Sequence, residues 1–287
     1  MKVLRNIFNS IEMKIPIMLA RLFPNYSKQI WERLFLKNGL KPIKIITDNF
    51  FVLHPLDKSL SRTIFIYKQV YPEIYRILKT YSIMCNSFID IGANIGYFTV
   101  TIGQNISKRG QVIAVEPEPS NILLLKKKLK INNINASIEQ VALSNKEGVA
   151  DFCINETNRG GHSLNDPLGT FKGRKIQVKT TTINKLIRKY ELIEPILIKI
   201  DVEGFEYFLF EGADDLLEKN CVIVTEFTPT DYIEQGFNPI VLLEKFTKFG
   251  YRIYDINLEK RIAPKDFNLV YNIKKKFQTN LLLVRNI

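Results

Sequence analysis

From residue 83 onward the chain alternates short, almost purely apolar runs with longer stretches of helical spacing. "SFIDIG", "GQVIAVEP", "ASIEQVAL", "EPILIKID" and "CVIVTEF" have the length of strands. "GYFTVTIGQNI", "SNILLLKKKLKINN" and "NPIVLLEKFTKFG" have the length of helices. Strands that are apolar on both faces cannot meet water on either, so they imply a parallel sheet covered by helices on both sides. The pattern predicts a doubly wound α/β domain over residues 81–287, closing with "YRIYDI" and "NLLLVR". Pro119 and Ser120 mark the start of one helix and Gly250 the end of another. A polar, glycine-bearing section separates "ASIEQVAL" from "EPILIKID".

Residues 1–80 lack this alternation. "PIKIITDNFFVLHP" reads as a hairpin around Asp48 and Asn49, and "YPEIYRILKTY" as a helix. Together they are expected to form an N-terminal cap packed on the sheet. Residues 1–23, "MKVLRNIFNSIEMKIPIMLARLF", read as a basic amphipathic helix resting on the core or, alternatively, on a membrane surface. No run reaches the ~20 apolar residues of a membrane span. Pro16, Arg21 and the lack of a cleavage site argue against a signal peptide. The expected location is the cytoplasm, with peripheral membrane contact through residues 1–23 as a further expectation.

The strand pattern acquires chemistry at "FIDIGANIGYFTV". Asp90, Gly92, Asn94 and Gly96 stand between a buried strand and a buried helix, where a plain turn needs one glycine. In open α/β sheets ligands lie beyond the carboxyl ends of the strands, and missing β-carbons let a ligand approach the backbone. The second strand ends in "AVEP", placing Glu116 twenty residues past Gly96. A carboxylate there can accept both hydroxyls of a ribose, which implies an adenosine-containing cofactor. The dinucleotide fingerprint G-x-G-x-x-G fails, because Asn94 and Tyr97 stand where glycine and a small residue are needed. No G-K-[ST] of a phosphate-binding loop occurs. The pattern acid-x-G-x-x-x-G followed by a ribose carboxylate is that of S-adenosylmethionine-dependent methyltransferases, with Asp90 facing the ligand's amino group.

In this order, "FIDIGANIGYFTV", "VIAVEPEPSN", "EQVALSNKEG" and "LIKIDVEGFEYFLFEG" resemble the FkbM family of class I methyltransferases, over about residues 85–228. The resemblance implies a Rossmann-like, mostly parallel seven-stranded sheet whose last strand is antiparallel. It also implies O-methylation of a sugar, glycan or other small hydroxyl compound, and Val141 and Ala142 flanking the adenine. It does not explain the first 80 residues.

A hydroxyl acceptor is a poor nucleophile and needs a base or a metal to take its proton. "ILIKID" ends at Asp201, Glu203 follows, and "VIVTEF" ends at Glu226, all at the cofactor's edge of the sheet. Buried together, these acids must share a proton, bind a divalent cation or be neutralised by a lysine. Asp201 is expected near the transferred methyl as base or metal ligand, with Glu203 and Glu226 in support and Asp201 and Glu226 as the ligands of any metal. As a plain structural alternative, Asp201 would be a helix N-cap. Lys199 would neutralise the acids or snorkel to solvent, and Glu206 would be an ordinary first-turn acid. The stretch at residues 155–166, "NETNRGGHSLND", reads as a lid. It brings His162 as a base or acceptor contact and Arg159 toward an acidic substrate, with His54 a weaker candidate.

Composition limits the rivals. Hydrophobic residues make up 46% of 287 and charged ones 24%, an ordinary globular balance. Cys85, Cys153 and Cys221 match no metal spacing and read as buried thiols in a reducing compartment. The net charge of +12 speaks to non-specific association, not to reaction, and Lys126, Lys127 and Lys128 read as a solvated helix face. An RNA methyltransferase is one rival, but no N/D-P-P-[FYW] tetrapeptide, Pro-Cys pair or RNA-binding module appears, so no nucleic-acid partner is expected. A binding protein without turnover is the other. The retention of Asp90, Gly92, Gly96, Glu116 and Asp201 as a set argues against it, since the fold alone is expected to dispense with each. The oligomeric state is left open.

Overall fold

The computed structural model describes residues 42–45, 47–53, 57, 59–106, 108, 110–155, 161–164, 173–271 and 276–285. The expected helix at residues 1–23, His54 and Arg159 lie outside them. The chain divides into two compact units, Met1–Tyr71 with Glu156–Gly160, and Pro72–Asn155 with Gly161–Ile287.

In the first unit β1 (Ile43–Lys44) and β2 (Phe50–Phe51) pair antiparallel. The turn between them holds Asp48 at φ +64°, as expected of the Asp48–Asn49 hairpin. Helix α1 (Leu60–Tyr67) follows. The Asp57 carboxylate serves its start by accepting the N–H groups of Ser59 and Ser61 at 3.0 and 2.7 Å.

The second unit opens with α2 (Pro72–Ser82), then β3 (Ser87–Ile91), α3 (Tyr97–Ile106), β4 (Gln111–Val115), α4 (Pro119–Ile131) and β5 (Ser137–Glu139). A small sheet comes next, of β6 (Ala142–Leu143), β7 (Gly148–Ile154) and β8 (Arg174–Thr181). It is followed by α5 (Ile183–Tyr190), β9 (Ile196–Ile200), α6 (Glu206–Glu211), α7 (Asp214–Glu218) and β10 (Cys221–Phe227). The chain closes with α8 (Pro229–Glu234), α9 (Pro239–Lys248), β11 (Arg252–Asp255), β12 (Lys260–Ile262), α10 (Phe267–Val270) and β13 (Thr279–Val284). The main sheet has the order β12-β11-β13-β10-β9-β3-β4-β5. Strands β10, β9, β3, β4 and β5 run parallel, and the last strand, β13, is antiparallel to both neighbours. The expected seven strands are present, and a hairpin adds β12 at the edge.

Period-two alternation assigns the two faces. Ile89, Ile91, Ile113, Val115, Ile196, Ile198, Ile200, Cys221 and Ile223 enter one large core with α5, α6, α7 and α9. Their neighbours in sequence, among them Phe88, Asp90, Leu197 and Lys199, must therefore occupy the opposite face. Asp90 and Lys199 are register partners across β3 and β9. Two charges are thus buried side by side within an apolar sheet.

The sequence pattern and the fold differ in three places. "ASIEQVAL" is two strands, broken after Glu139 so that β6 joins the small sheet. The polar section holds β7, β8 and α5. Lys128 is not part of a solvated face: Lys126 and Lys127 are exposed, but Lys128 falls on the stripe of Leu124 and Leu125 and is 0% exposed. All three cysteines are buried, with no disulfide among them, and burial pushes the Cys221 thiol up to about 12.

Candidate functional site

Strand β3 ends against its neighbours, and that crowding sets the turn after it. Gly92 and Ala93 donate to the Val115 carbonyl at 3.0 Å each, while Asp201 N–H donates to the Ile91 carbonyl at 3.1 Å. Gly92 has φ +70°, and a β-carbon on it would stand 1.8 Å from the Asp201 carbonyl oxygen. Gly96, at φ +84°, would meet the Leu125 side chain at 2.3 Å. Gly92 is therefore demanded by the close approach of β3 and β9, and Gly96 by its left-handed backbone. This corrects the view that the fold could dispense with them. Asn94 also takes a left-handed φ, +50°, strain of the kind that gathers at functional sites.

Two side chains clamp this turn. Glu116, at the end of β4, accepts from Asn94 N–H at 2.8 Å, Glu118 N–H at 3.0 Å and Asn121 Nδ2 at 3.2 Å. Burial pushes it up to about 7, against the pull of those donors. Lys128 donates to the Ile95 carbonyl at 2.6 Å, so the lysine misread as solvated fastens the turn from below. Its signal was its position, three residues past Leu125 on an apolar stripe. At the neighbouring strand end the Glu139 carbonyl accepts from Glu116 N–H at 3.0 Å. Val141 and Ala142 follow, half-buried and buried.

Asp90 is fully buried. Thr99 Oγ1 donates to its Oδ2 at 2.5 Å, whereas its Oδ1 has no hydrogen-bond partner and lies 3.8 Å from Lys199 Nζ. Burial raises the Asp90 carboxyl, and Lys199 and Thr99 pull it back. Lys199, 5% exposed, does not snorkel. Its ammonium donates to the Gly92 carbonyl at 3.1 Å, pairs with Asp201 Oδ2 at 3.2 Å and stands 5.7 Å from the Phe98 ring centroid. Lys199 thus compensates Asp201 among these acids, while the carboxyls of Glu203 and Glu226 are shifted toward the protonated form. The described residues hold no group of three or more His, Cys, Asp or Glu suited to a metal ion.

The loop after β9 carries the other acids. Asp201 is not the N-cap of α6, because Phe205 occupies that position. Glu206, expected as an ordinary first-turn acid, is buried and clasps the loop. It accepts from Val202 N–H at 2.9 Å and Tyr232 Oη at 3.1 Å, and burial pushes it up to about 7. Glu203 sits at φ +54°. Burial, then Asp201 and Glu206, push its carboxyl up to about 8. Glu226 accepts from Gln278 Nε2 through Oε1, while its buried Oε2 has no hydrogen-bond partner. Burial first, then Asp201, Glu206 and Glu203, raise it well above the usual range.

His162 is not a solvated loop residue. It is buried edge-on to Phe152, and its Nδ1 accepts from Asn155 N–H at 3.0 Å, which occupies one of its two nitrogens. Its neighbour Ser163 donates to the carbonyls of Glu203 and Val202 at 2.8 and 3.3 Å. The structure thus brings residues 161–164 to the acid loop, through a serine that the sequence did not single out.

The Methyltransferase FkbM domain model matches residues 90–253, more than half of the chain. The chain belongs to the FkbM methyltransferase family. Its fold is the class I methyltransferase fold, and the FkbM match runs from Asp90 through the acid loop to β11. Among solved structures the chain is similar to a precorrin-6y C5,15-methyltransferase from Geobacter metallireducens, at 12% identity over 82% of this chain and 94% of that one, TM-score 0.41. It is similar to methyltransferase FkbM from Methylobacillus flagellatus, at 14% identity over 92% of this chain and 59% of that one, TM-score 0.39. An O-methyltransferase from Bacillus cereus in complex with SAH shares 14% identity over 76% of this chain and 83% of that one, TM-score 0.39. Likenesses this remote say nothing of an FkbM protein's acceptor. No curated protein matches the chain. Among the described residues no helix is long and apolar enough to cross a membrane.

Proposed function

We propose that the chain transfers a methyl group from S-adenosylmethionine to a hydroxyl of a sugar, glycan or other small molecule. The observation that carries the cofactor reading is Asp90 Oδ1, a buried acceptor without a hydrogen bond beside the glycine turn. A buried orphan acceptor is costly, and a ligand ammonium supplies the missing donor while favouring the ionised form. In this reading Glu116 would accept ribose hydroxyls, and Val141 and Ala142 would meet the adenine. When bound, S-adenosylmethionine supplies a methyl already activated by its positive sulfur.

What remains for the chain is to hold the acceptor in line and to take its proton as the oxygen–carbon bond forms. Asp201 is already engaged by the buried Lys199 ammonium at 3.2 Å. Burial, then the neighbouring Asp201, shifts Glu226 toward its neutral form. Glu203, pushed up to about 8 by burial and then by Asp201, against the pull of Lys199, is the carboxylate matched to proton transfer near neutral pH.

The sign of the pH dependence follows. Glu203 must be ionised to accept a proton, and below about 8 it is mostly protonated. The kcat/KM for transfer of labelled methyl should rise about tenfold per pH unit below that value and level off above it. Glu203→Gln should lower the plateau about 100-fold or more and remove the rising limb, with cofactor affinity unchanged. A flat profile between pH 6.5 and 9, or a variant within a few-fold of the parent, would exclude Glu203 as the base.

A further inference from the structure

Beside the acid loop lies a cleft of about 310 Å³, within the range of small-ligand sites. Its lining comes from the turn between Ser144 and Ala150, from Thr180, from Leu164, and from Phe205 and Phe208. Phe205 is two residues past Glu203. Leu164 adjoins Ser163, whose hydroxyl donates to the Glu203 carbonyl at 2.8 Å. Two walls of the cleft therefore converge on the loop that carries the proposed base.

The aromatic wall is not ordinary core. The Phe205 and Phe208 rings stack with centroids 4.5 Å and planes 22° apart. Phe208 meets Phe237 edge-on at 4.9 Å, and Tyr207 stacks on Phe237 at 4.3 Å. Phe205 and Phe208, which line the cleft, are only half-buried, and Tyr207 and Phe237 back them against the main core.

We infer that this cleft receives the acceptor, and that the acceptor is an uncharged pyranose ring lying against Phe205 and Phe208. The inference rests on the methyltransferase reading above. One face of a pyranose carries C–H groups, slightly positive, which suit the negative face of an aromatic ring. Ser144, Asn145 and Thr180 add neutral hydrogen-bonding side chains to the lining. Among its described residues the lining includes one cation, Lys146, and one anion, Glu147, and Glu147 pairs with Lys185 at 2.6 Å. A phosphorylated sugar would call for surplus cations to bind its phosphate, and a nucleic acid for several.

Saturation-transfer NMR on the full chain tests this, with methyl pyranosides of glucose, galactose, mannose, fucose and rhamnose, and a matched set of phenols. At least one pyranoside should receive saturation at its ring protons. Phe205→Leu and Phe208→Leu, which keep apolar volume but lose the flat face, should each weaken that signal at least fivefold. Val149→Arg should abolish it; Val149 lines the cleft yet is 64% exposed, so the substitution spares the core. Silence from every pyranoside, signals unchanged in all three variants, or binding of phenols alone would overturn the inference. S-adenosylmethionine binding measured on the same samples separates the two readings. Its presence without pyranoside binding sinks the cleft alone; its absence with pyranoside binding sinks the cofactor.

Discussion

Replacing Gly92 by alanine should cost about 4 kcal/mol or more of stability and remove cofactor binding. Two effects add. An L residue at φ +70° costs about 1–2 kcal/mol, and the new β-carbon would stand 1.8 Å from a backbone oxygen that cannot rotate away. Strand ends β3 and β9 would have to part, and Asp201 N–H would lose the Ile91 carbonyl. Gly236 is the internal control. It has a similar φ of +86°, but a β-carbon there meets nothing within 4 Å, so Gly236→Ala should cost only the conformational term. Chemical denaturation of both variants measures the difference. Equal costs would mean that the crowding at Gly92 relaxes freely and that the strand-end geometry described above is not what holds the turn.

Lys199→Met should be the second large effect. The ammonium it deletes faces Asp90, Asp201 and the Gly92 carbonyl at 3.8, 3.2 and 3.1 Å, in a side chain 6% exposed. Breaking a buried pair by removing one partner typically costs about 3–5 kcal/mol, because the charge left behind is uncompensated. Part of that cost should be escaped by proton uptake, since Lys199 lowers Asp90, Glu203 and Glu226 alike. The destabilisation should therefore be largest at alkaline pH, where those carboxyls are forced to ionise, and should shrink toward pH 5. Adding Asp201→Asn to Lys199→Met should recover a good part of the loss, a coupling that a double-mutant cycle reads directly. A loss under 1 kcal/mol at pH 8, or strict additivity, would show that the lysine does not compensate these acids.

Much of this was legible in the sequence because the parallel strands are apolar on both faces, and "SFIDIG" and "ILIKID" announce themselves. The polar residues inside them, Asp90 and Lys199, stand out for the same reason. Their pairing needed the register of β3 against β9, which no single strand discloses. Strands β7 and β8 were not legible. Their sheet keeps one face toward water, and outward charges such as Asp151, Lys175 and Lys179 break the apolar run. Lys128 and Glu206 were misread by residue type, since a charged side chain is usually exposed. Each is buried because it satisfies backbone groups that the turns leave over, a carbonyl in one case and an N–H in the other. The turn itself had a second reason that composition could not supply. Gly92 is small because β3 and β9 close on it and Gly96 because its backbone is left-handed, so the glycine spacing alone was weaker evidence for a ligand than Asp90 with its unpartnered oxygen.

The central claim is that this turn, Asp90 and Glu116 form an S-adenosylmethionine site. Calorimetric titration of the full chain with S-adenosylmethionine and with its demethylated product, NADH serving as the control, tests it most directly. A dissociation constant in the low- to mid-micromolar range, about −7 to −8 kcal/mol, is expected for the parent. Glu116→Gln, which keeps the shape but not the charge, should weaken it at least tenfold, and NADH should not bind. Absence of binding by both sulfur ligands, or a preference for NADH, would contradict the account.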